Sequence, residues 1–284
     1  MKLLANAFYG YLGFAQARWY CFECGESVTA YGREYIKTVI DKAEKDGFRV
    51  LYSDTDSIFL LLDKRSKEDA LKFIDEINAH LPGVMELDYE NYYPRGIFVA
   101  LKSGTEGAKK RYALIDEKDR LKIRGFETVR RNTSPIARTV QKKVLEIVLK
   151  EGDAEKAISF LRERVDALRK HMLPIEEVTI HTAIQKEVSE YESVGPHVSA
   201  AQRMTNRGIP VSAGTHINYV VTRGKGPIRD RVRLPDEVTK EDYDPEYYLE
   251  NQVIPGVERI FAVLGFKKED LVQEKTQSTL GKFI

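Results

Sequence analysis

Asp54 and Asp56 stand two residues apart in Phe48-Arg49-Val50-Leu51-Tyr52-Ser53-Asp54-Thr55-Asp56-Ser57-Ile58-Phe59-Leu60-Leu61-Leu62, where two apolar runs flank a five-residue polar tip. Residues at i and i+2 point to one side of an extended chain. Carboxylates held that close repel one another, and a divalent cation between them removes the repulsion. The pattern therefore suits a magnesium-type site. It equally suits an ordinary turn, because Asp, Ser and Thr are common turn residues.

Three other groups of residues carry chemistry. Lys2, Asn6 and Tyr9 recur at i, i+4 and i+7, so a helix presents a cation, an amide and an aromatic ring along one stripe. That stripe fits a ligand with phosphate, polar and planar parts, or simply an amphipathic helix end closed by Gly10 and Gly13. Lys109-Lys110-Arg111-Tyr112 enters an apolar stretch with three cations and an aromatic, a combination able to grip a nucleic-acid backbone, though basic tetrads are common on surfaces. At the other end, Gln277, Leu280, Phe283 and Ile284 have the spacing of one short helical turn. Such a plug suits an apolar groove on a partner, or a tail folding back on its own domain.

The elements that must position these groups follow from periodicity. The apolar runs around Asp54 and Asp56 read as well-buried strands of a hairpin. Helices are expected over residues 1–14, from about Cys24 to Lys45, and from Lys67 to His80 before Pro82-Gly83. Two to four strands follow between about Val84 and Val129, interrupted by the polar loop Ser103-Gly104-Thr105-Glu106-Gly107. From about Asn132 the pattern turns helical. Ser134-Pro135 is a helix start, with Ser134 as the cap, and Gly152-Asp153 turns into a second helix ending near His171. A shorter helix starts at Gly195-Pro196 and stops at Gly208. Strands at 217–222 and 228–234 flank the basic loop Arg223-Gly224-Lys225-Gly226-Pro227, read as a hairpin turn. A final helix spans about 246–264, kinked by Pro255.

Composition bounds the rest. With 284 residues, 42% hydrophobic and 31% charged, the chain is an ordinary globular protein of one large domain or two to three small ones. No run approaches the roughly 20 apolar residues of a membrane span, and no signal-peptide pattern is present, so a cytoplasmic location is expected. Net charge is only +1, yet residues 101–150 hold 14 Lys and Arg against 6 Asp and Glu, an electrostatic footprint for phosphates if it is not a merely solvated face. The only cysteines, Cys21 and Cys24, have no second pair with which to hold zinc. A local disulfide or two free thiols remain.

Taken in order, Lys2-Leu3-Leu4-Ala5-Asn6-Ala7-Phe8-Tyr9-Gly10, Tyr52-Ser53-Asp54-Thr55-Asp56-Ser57, Lys109-Lys110-Arg111-Tyr112 and the Gln277–Ile284 tail resemble the carboxy-terminal part of an archaeal family B DNA polymerase. They are similar to its fingers-helix motif K-x-x-x-N-S-x-Y-G, its palm motif Y-x-D-T-D-S, its K-K-R-Y motif and a sliding-clamp-binding box. Gly195-Pro196-His197-Val198 and Tyr247-Tyr248-Leu249-Glu250-Asn251-Gln252-Val253 resemble its thumb. The resemblance implies an α+β fold: an antiparallel palm sheet with helices on one face, preceded by part of a helical fingers element and followed by a mostly helical thumb. The implied boundaries are 1–25 for the fingers part, 26–131 for the palm, 132–273 for the thumb and 274–284 for the clamp-binding tail.

What the resemblance implies chemically is phosphoryl transfer to a primer 3′-hydroxyl with two Mg²⁺ ions. Asp56 would be a direct ligand of both and Asp54 a coordinating or supporting one. Lys2 would neutralise the incoming triphosphate, Asn6 and Tyr9 would line the nascent base-pair pocket, and Lys109, Lys110 and Arg111 would hold the primer–template backbone with Tyr112 packed nearby. Cys21 and Cys24 often pair in thermophilic members. Departures are as informative: nothing matches the family's D-x-x-S-L-Y-P motif with its other metal-binding aspartate, Ala7 replaces a serine, and the Ser103–Gly107 loop resembles an insertion. The residues that open the fingers helix, and the amino-terminal and exonuclease domains, find no counterpart either. These departures imply the small subunit of a split polymerase, with partners comprising a large subunit, primer–template DNA, deoxynucleotides and a sliding clamp, and a nucleoid-associated place in the cytoplasm. The competing expectation is a non-catalytic DNA-binding and clamp-tethering accessory protein.

Overall fold

The computed structural model describes residues 2–100, 107–127 and 133–272 and divides the chain into two compact units, Met1–Asn91 and Tyr92–Ile284. The fold is α+β, with helices and small antiparallel sheets in both units.

In the first unit, α1 (Lys2–Leu12) and α2 (Phe22–Lys45) precede the strands β1 (Arg49–Asp54) and β2 (Ser57–Leu61), and α3 (Lys67–Asn78) follows. Cys21 and Cys24 form a disulfide at the start of α2, so the local-disulfide alternative is the one realised. Ser66 caps α3 reciprocally. Its hydroxyl accepts from the Asp69 amide at 3.2 Å, and its own amide donates to the Asp69 carboxylate at 2.9 Å. The bond from the Ser66 amide holds the Asp69 carboxyl below the usual aspartate range. A two-stranded hairpin is marginal alone and needs cover. Here Val39 and Ala43 of α2, Phe73 and Ile77 of α3, and Phe48 form a small buried core, against which Val50, Ile58, Leu60 and Leu62 pack. The hairpin strands are therefore half-buried, not well buried as their apolar composition suggests. Its register breaks between Val50 and Tyr52, where a bulge leaves Leu51 exposed.

The second unit opens with a three-stranded antiparallel sheet in the order β3 (Arg95–Ala100), β4 (Gly107–Ile115) and β5 (Leu121–Arg124). Helix α4 (Pro135–Glu146) continues as a π-helical turn over Ile147–Glu151, and α5 (Ala154–Arg169) follows, its Asp153 carboxylate accepting from the Lys156 amide at 2.8 Å. Ser134 occupies the cap position of α4, yet its side chain makes no capping bond. Its amide instead donates to the Gln252 side-chain oxygen at 3.0 Å.

After the short α6 (Ile175–Val178) a second three-stranded sheet forms in the order β6 (Ile180–Ala183), β7 (His216–Val221) and β8 (Val232–Arg233), with α7 (Pro196–Asn206) between β6 and β7. Helices still dominate beyond residue 132, and the sheet adds β6 to the strands expected there. The strand expected over 228–234 shrinks to two residues, because Ile228–Arg231 makes a 3₁₀ turn. The helix expected over 246–264 is not uniformly α-helical. A π-helical turn at Leu249–Val253 separates α8 (Pro245–Tyr248) from α9 (Ile254–Val263), and Pro255 lies in the first turn of α9, directly after it. The chain described ends with α10 (Lys268–Val272).

One apolar core unites this unit: Ile97, Val99, Ala113 and Ile115 of the first sheet, Val140 and Val144 of α4, Leu161 of α5, Val220 and Val221 of β7, and Val257 and Phe261 of α9. Tyr248 lies fully inside it, and its hydroxyl accepts from the Val221 amide at 3.0 Å. Burial pushes the Tyr248 phenol well above its ordinary pKa. Replacing the fully buried Leu161 by alanine is expected to destabilise the protein by about 2–5 kcal/mol, and Tyr248→Phe by about 1–3 kcal/mol through the orphaned Val221 amide. Urea unfolding monitored by circular dichroism measures both.

Candidate active site and nucleic-acid interface

The carboxylate pair sits where β1 turns into β2. Ser53 pairs with Ile58 and Asp54 with Ser57, so small polar residues expected in the tip are drawn into the ladder. The tip is a two-residue turn of Thr55 and Asp56, not an extended stretch of five, and Thr55 takes a left-handed φ of 56°. Three bonds tighten it. The Asp56 amide donates to the Asp54 carbonyl at 2.7 Å, the Ser57 hydroxyl to the same carbonyl at 3.1 Å, and the Thr55 hydroxyl to the Asp54 carboxylate at 3.2 Å. Asp54 thus closes β1 and Asp56 lies in the turn, so strand alternation does not relate the two carboxylates. Asp54 is half-buried and Asp56 exposed. Among the described residues no cluster of three or more His, Cys, Asp or Glu side chains could hold a metal ion. Two carboxylates at one exposed tip still fit Mg²⁺, a hard cation that takes one or two protein carboxylates and fills its octahedron with water and phosphate oxygens.

Positions 2, 6 and 9 fall on α1 as their spacing requires. Tyr9 is exposed, while the side chains of Lys2 and Asn6 lie outside the description. Beyond this stripe, Phe8, Phe14, Trp19, Tyr20, Phe22 and Tyr31 are all exposed. The sequence signals this only as an aromatic, irregular stretch around Trp19.

The basic tetrad lies on β4, and its members part company there. The Lys109 side chain lies outside the description, and Lys110 is exposed. Arg111 is 9% exposed: its Nη2 donates to both Glu127 carboxylate oxygens, at 2.7 and 2.6 Å, and its guanidinium stacks 5.1 Å from the Phe126 ring centre. Tyr112 is also buried, its ring 5.5 Å from that of Phe98. Glu127 accepts a further bond from Gln141 of α4 at 2.6 Å, and Gln141 also donates to the Gly256 carbonyl of α9. Neither Glu127 nor Gln141 stands out by sequence, since a Gln inside a helix and a Glu after a strand carry no pattern of their own.

Elsewhere, the Arg223–Pro227 loop lies within the β7–β8 connection, as a hairpin reading requires, with Val220 opposite Arg233 and Val221 opposite Val232. His197, in the second position of α7, packs 5.6 Å from Tyr191, and its burial holds the imidazole below the ordinary histidine pKa. Gln277, Leu280, Phe283 and Ile284 lie outside the described residues, as does the greater part of the Ser103–Gly107 loop.

Comparison with known proteins adds independent evidence. Residues 1–264 match the profile of DNA polymerase family B. The chain is 48% identical over 284 residues to the DNA polymerase of Thermococcus gorgonarius, covering 98% of this chain and 36% of that protein. It is 46% identical over 292 residues to that of Desulfurococcus sp. (strain Tok), covering all of this chain and 37% of the relative. The solved structure of the family B DNA polymerase from Pyrobaculum calidifontis superposes with a TM-score of 0.69 at 35% identity, over 94% of this chain and 33% of that one. The chain thus spans little more than a third of the relatives' length, and over that span it belongs to DNA polymerase family B.

Proposed function

We propose that the chain contributes the Asp54–Asp56 half of a polymerase active site, which adds deoxynucleotides to a primer 3′-end once a large subunit supplies the remaining aspartate. The observation carrying this reading is the carboxylate pair on a tightly bonded hairpin tip, in a chain that matches DNA polymerase family B over nearly its whole length. Bound Mg²⁺ would lower the pKa of the primer hydroxyl and offset charge on the leaving pyrophosphate. Asp56 holds metal directly in this reading, which its exposure supports. Asp54, half-buried and bonded by Thr55, holds the turn that presents it and offers a second oxygen set.

Lys2 neutralises the incoming triphosphate, and Asn6 and Tyr9 border the nascent base pair. Lys109 and Lys110 contact primer–template phosphates. Arg111, paired with Glu127, shapes that strand instead of reaching the backbone, and Tyr112 fixes it by packing. The Gln277–Ile284 tail docks on a sliding clamp, and the assembled enzyme works in the nucleoid.

Primer extension is expected from a mixture with a large subunit bearing the missing aspartate and not from this chain alone; robust extension by the purified chain overturns the split-site reading. In the assembled enzyme, Asp56→Asn removes several kcal/mol of charge stabilisation, about a 10³-fold loss in extension rate, with co-elution of the subunits unchanged. Normal extension by that variant would favour the non-catalytic accessory role. Deleting residues 277–284 is expected to abolish clamp-stimulated processivity while sparing clamp-free synthesis, as product-length distributions on a long primed template would reveal.

A further inference from the structure

We infer that Gln141, acting through Glu127, is a positioning residue for the phosphate-contacting end of β4. The inference rests on the reading of Lys110 as a DNA contact. Its substance is a chain of bonds within the second unit. Arg111 is the residue after Lys110, and its guanidinium is fixed by both oxygens of Glu127 and by the face of Phe126. One of those oxygens also accepts from Gln141, a fully buried side chain of α4 whose amide reaches the Gly256 carbonyl of α9 as well.

On the other side, Lys110 itself has a left-handed φ of 60°, and Gly125 lies against it. A β-carbon on Gly125 would come within 2.1 Å of the Lys110 carbonyl. The direction in which Lys110 leaves the sheet is thus set by one backbone contact and one buried polar relay. The relay ends on two helices that carry no DNA-contacting residue of their own in the proposed function. Cutting it at Gln141 frees Glu127 to turn, and Arg111 with it.

Equilibrium binding of a fluorescent primer–template duplex to the full-length chain, followed from 50 to 200 mM salt, tests this. Each phosphate contact contributes about 0.9 to the slope of log affinity against log salt. Lys110→Ala is expected to reduce the slope by about that amount, Gln141→Leu by a similar amount, and the double variant by no more than either alone. If Gln141→Leu does not fold, as judged by circular dichroism, the isosteric Glu127→Gln takes its place with the same expectation. A Lys110→Ala effect that persists undiminished on either background, with only thermal stability lowered, overturns the positioning role alone. A slope unchanged by Lys110→Ala overturns the DNA contact itself, and the inference with it.

Discussion

A guanidinium taken almost wholly out of water must meet a carboxylate, and the second unit is arranged around that demand at Arg111. An unpaired buried charge costs several kcal/mol, whereas one that meets a hydrogen-bonded counter-charge is tolerated. Glu127 supplies both oxygens, Phe126 supplies a ring face, and Gln141 takes up a remaining lone pair of the carboxylate. These residues come from three stretches: Arg111 from β4, Phe126 and Glu127 from the turn after β5, and Gln141 from α4. The Gly256 carbonyl joins α9 to the same set. The apolar core would hold these elements together without specifying their register. A buried charge that must meet its counter-charge selects one register, because any slip leaves that charge unmet.

The first unit solves a different problem with fewer means. Among the described residues its buried apolar core holds five side chains, and its sheet is a single hairpin with a bulge at Leu51. A bulge increases local twist and re-aims the residues beyond it. Those residues lead directly to Asp54. The bonds of Ser57, Asp56 and Thr55 onto Asp54 then hold a turn in which Thr55, a β-branched residue, adopts a left-handed backbone. β-branched residues in that region carry strain that their surroundings must compensate. Strain concentrated between two candidate metal ligands fits a tip shaped for what it presents.

Most helices were legible because their signals are local. The turn at Gly152-Asp153, the Pro-led start after Ser134 and the stop at Gly208 are chemistry within a few residues of the element they bound. What escaped depends on partners distant in sequence. β6, the four residues Ile180–Ala183, is a strand only because β7 lies beside it. The π-helical turn at Leu249–Val253 inserts a residue that no propensity marks, and Pro255 drew attention to itself instead. At the site, the D-T-D pattern located the carboxylates but not how they are held, since Ser53 and Ser57 read as turn residues and behave as strand residues. The basic tetrad misleads for a related reason. Four polar or aromatic residues in a row look like one surface, yet a strand with both faces covered buries Arg111 and Tyr112 while leaving Lys110 outside. A count of cations near a phosphate site overstates the grip by the number that serve the protein's own carboxylates.

The same caution applies to Asp54 and Asp56. Two carboxylates at one tip offer a divalent cation part of its coordination sphere, and the repulsion between them rewards binding. Mg²⁺ parts with water reluctantly, so two exposed or half-exposed carboxylates hold it weakly unless further oxygens are presented in an octahedral arrangement. In the proposed assembly those oxygens come from the aspartate of the large subunit and from nucleotide phosphates. Metal, nucleotide and subunit then improve one another's binding, and linkage makes each improvement mutual: whatever factor the metal contributes to subunit affinity, the subunit returns to metal affinity. In that proposed assembly metal affinity would be a property that this chain and its complement hold jointly, and the hairpin's contribution would be to keep its two carboxylates fixed while the others arrive.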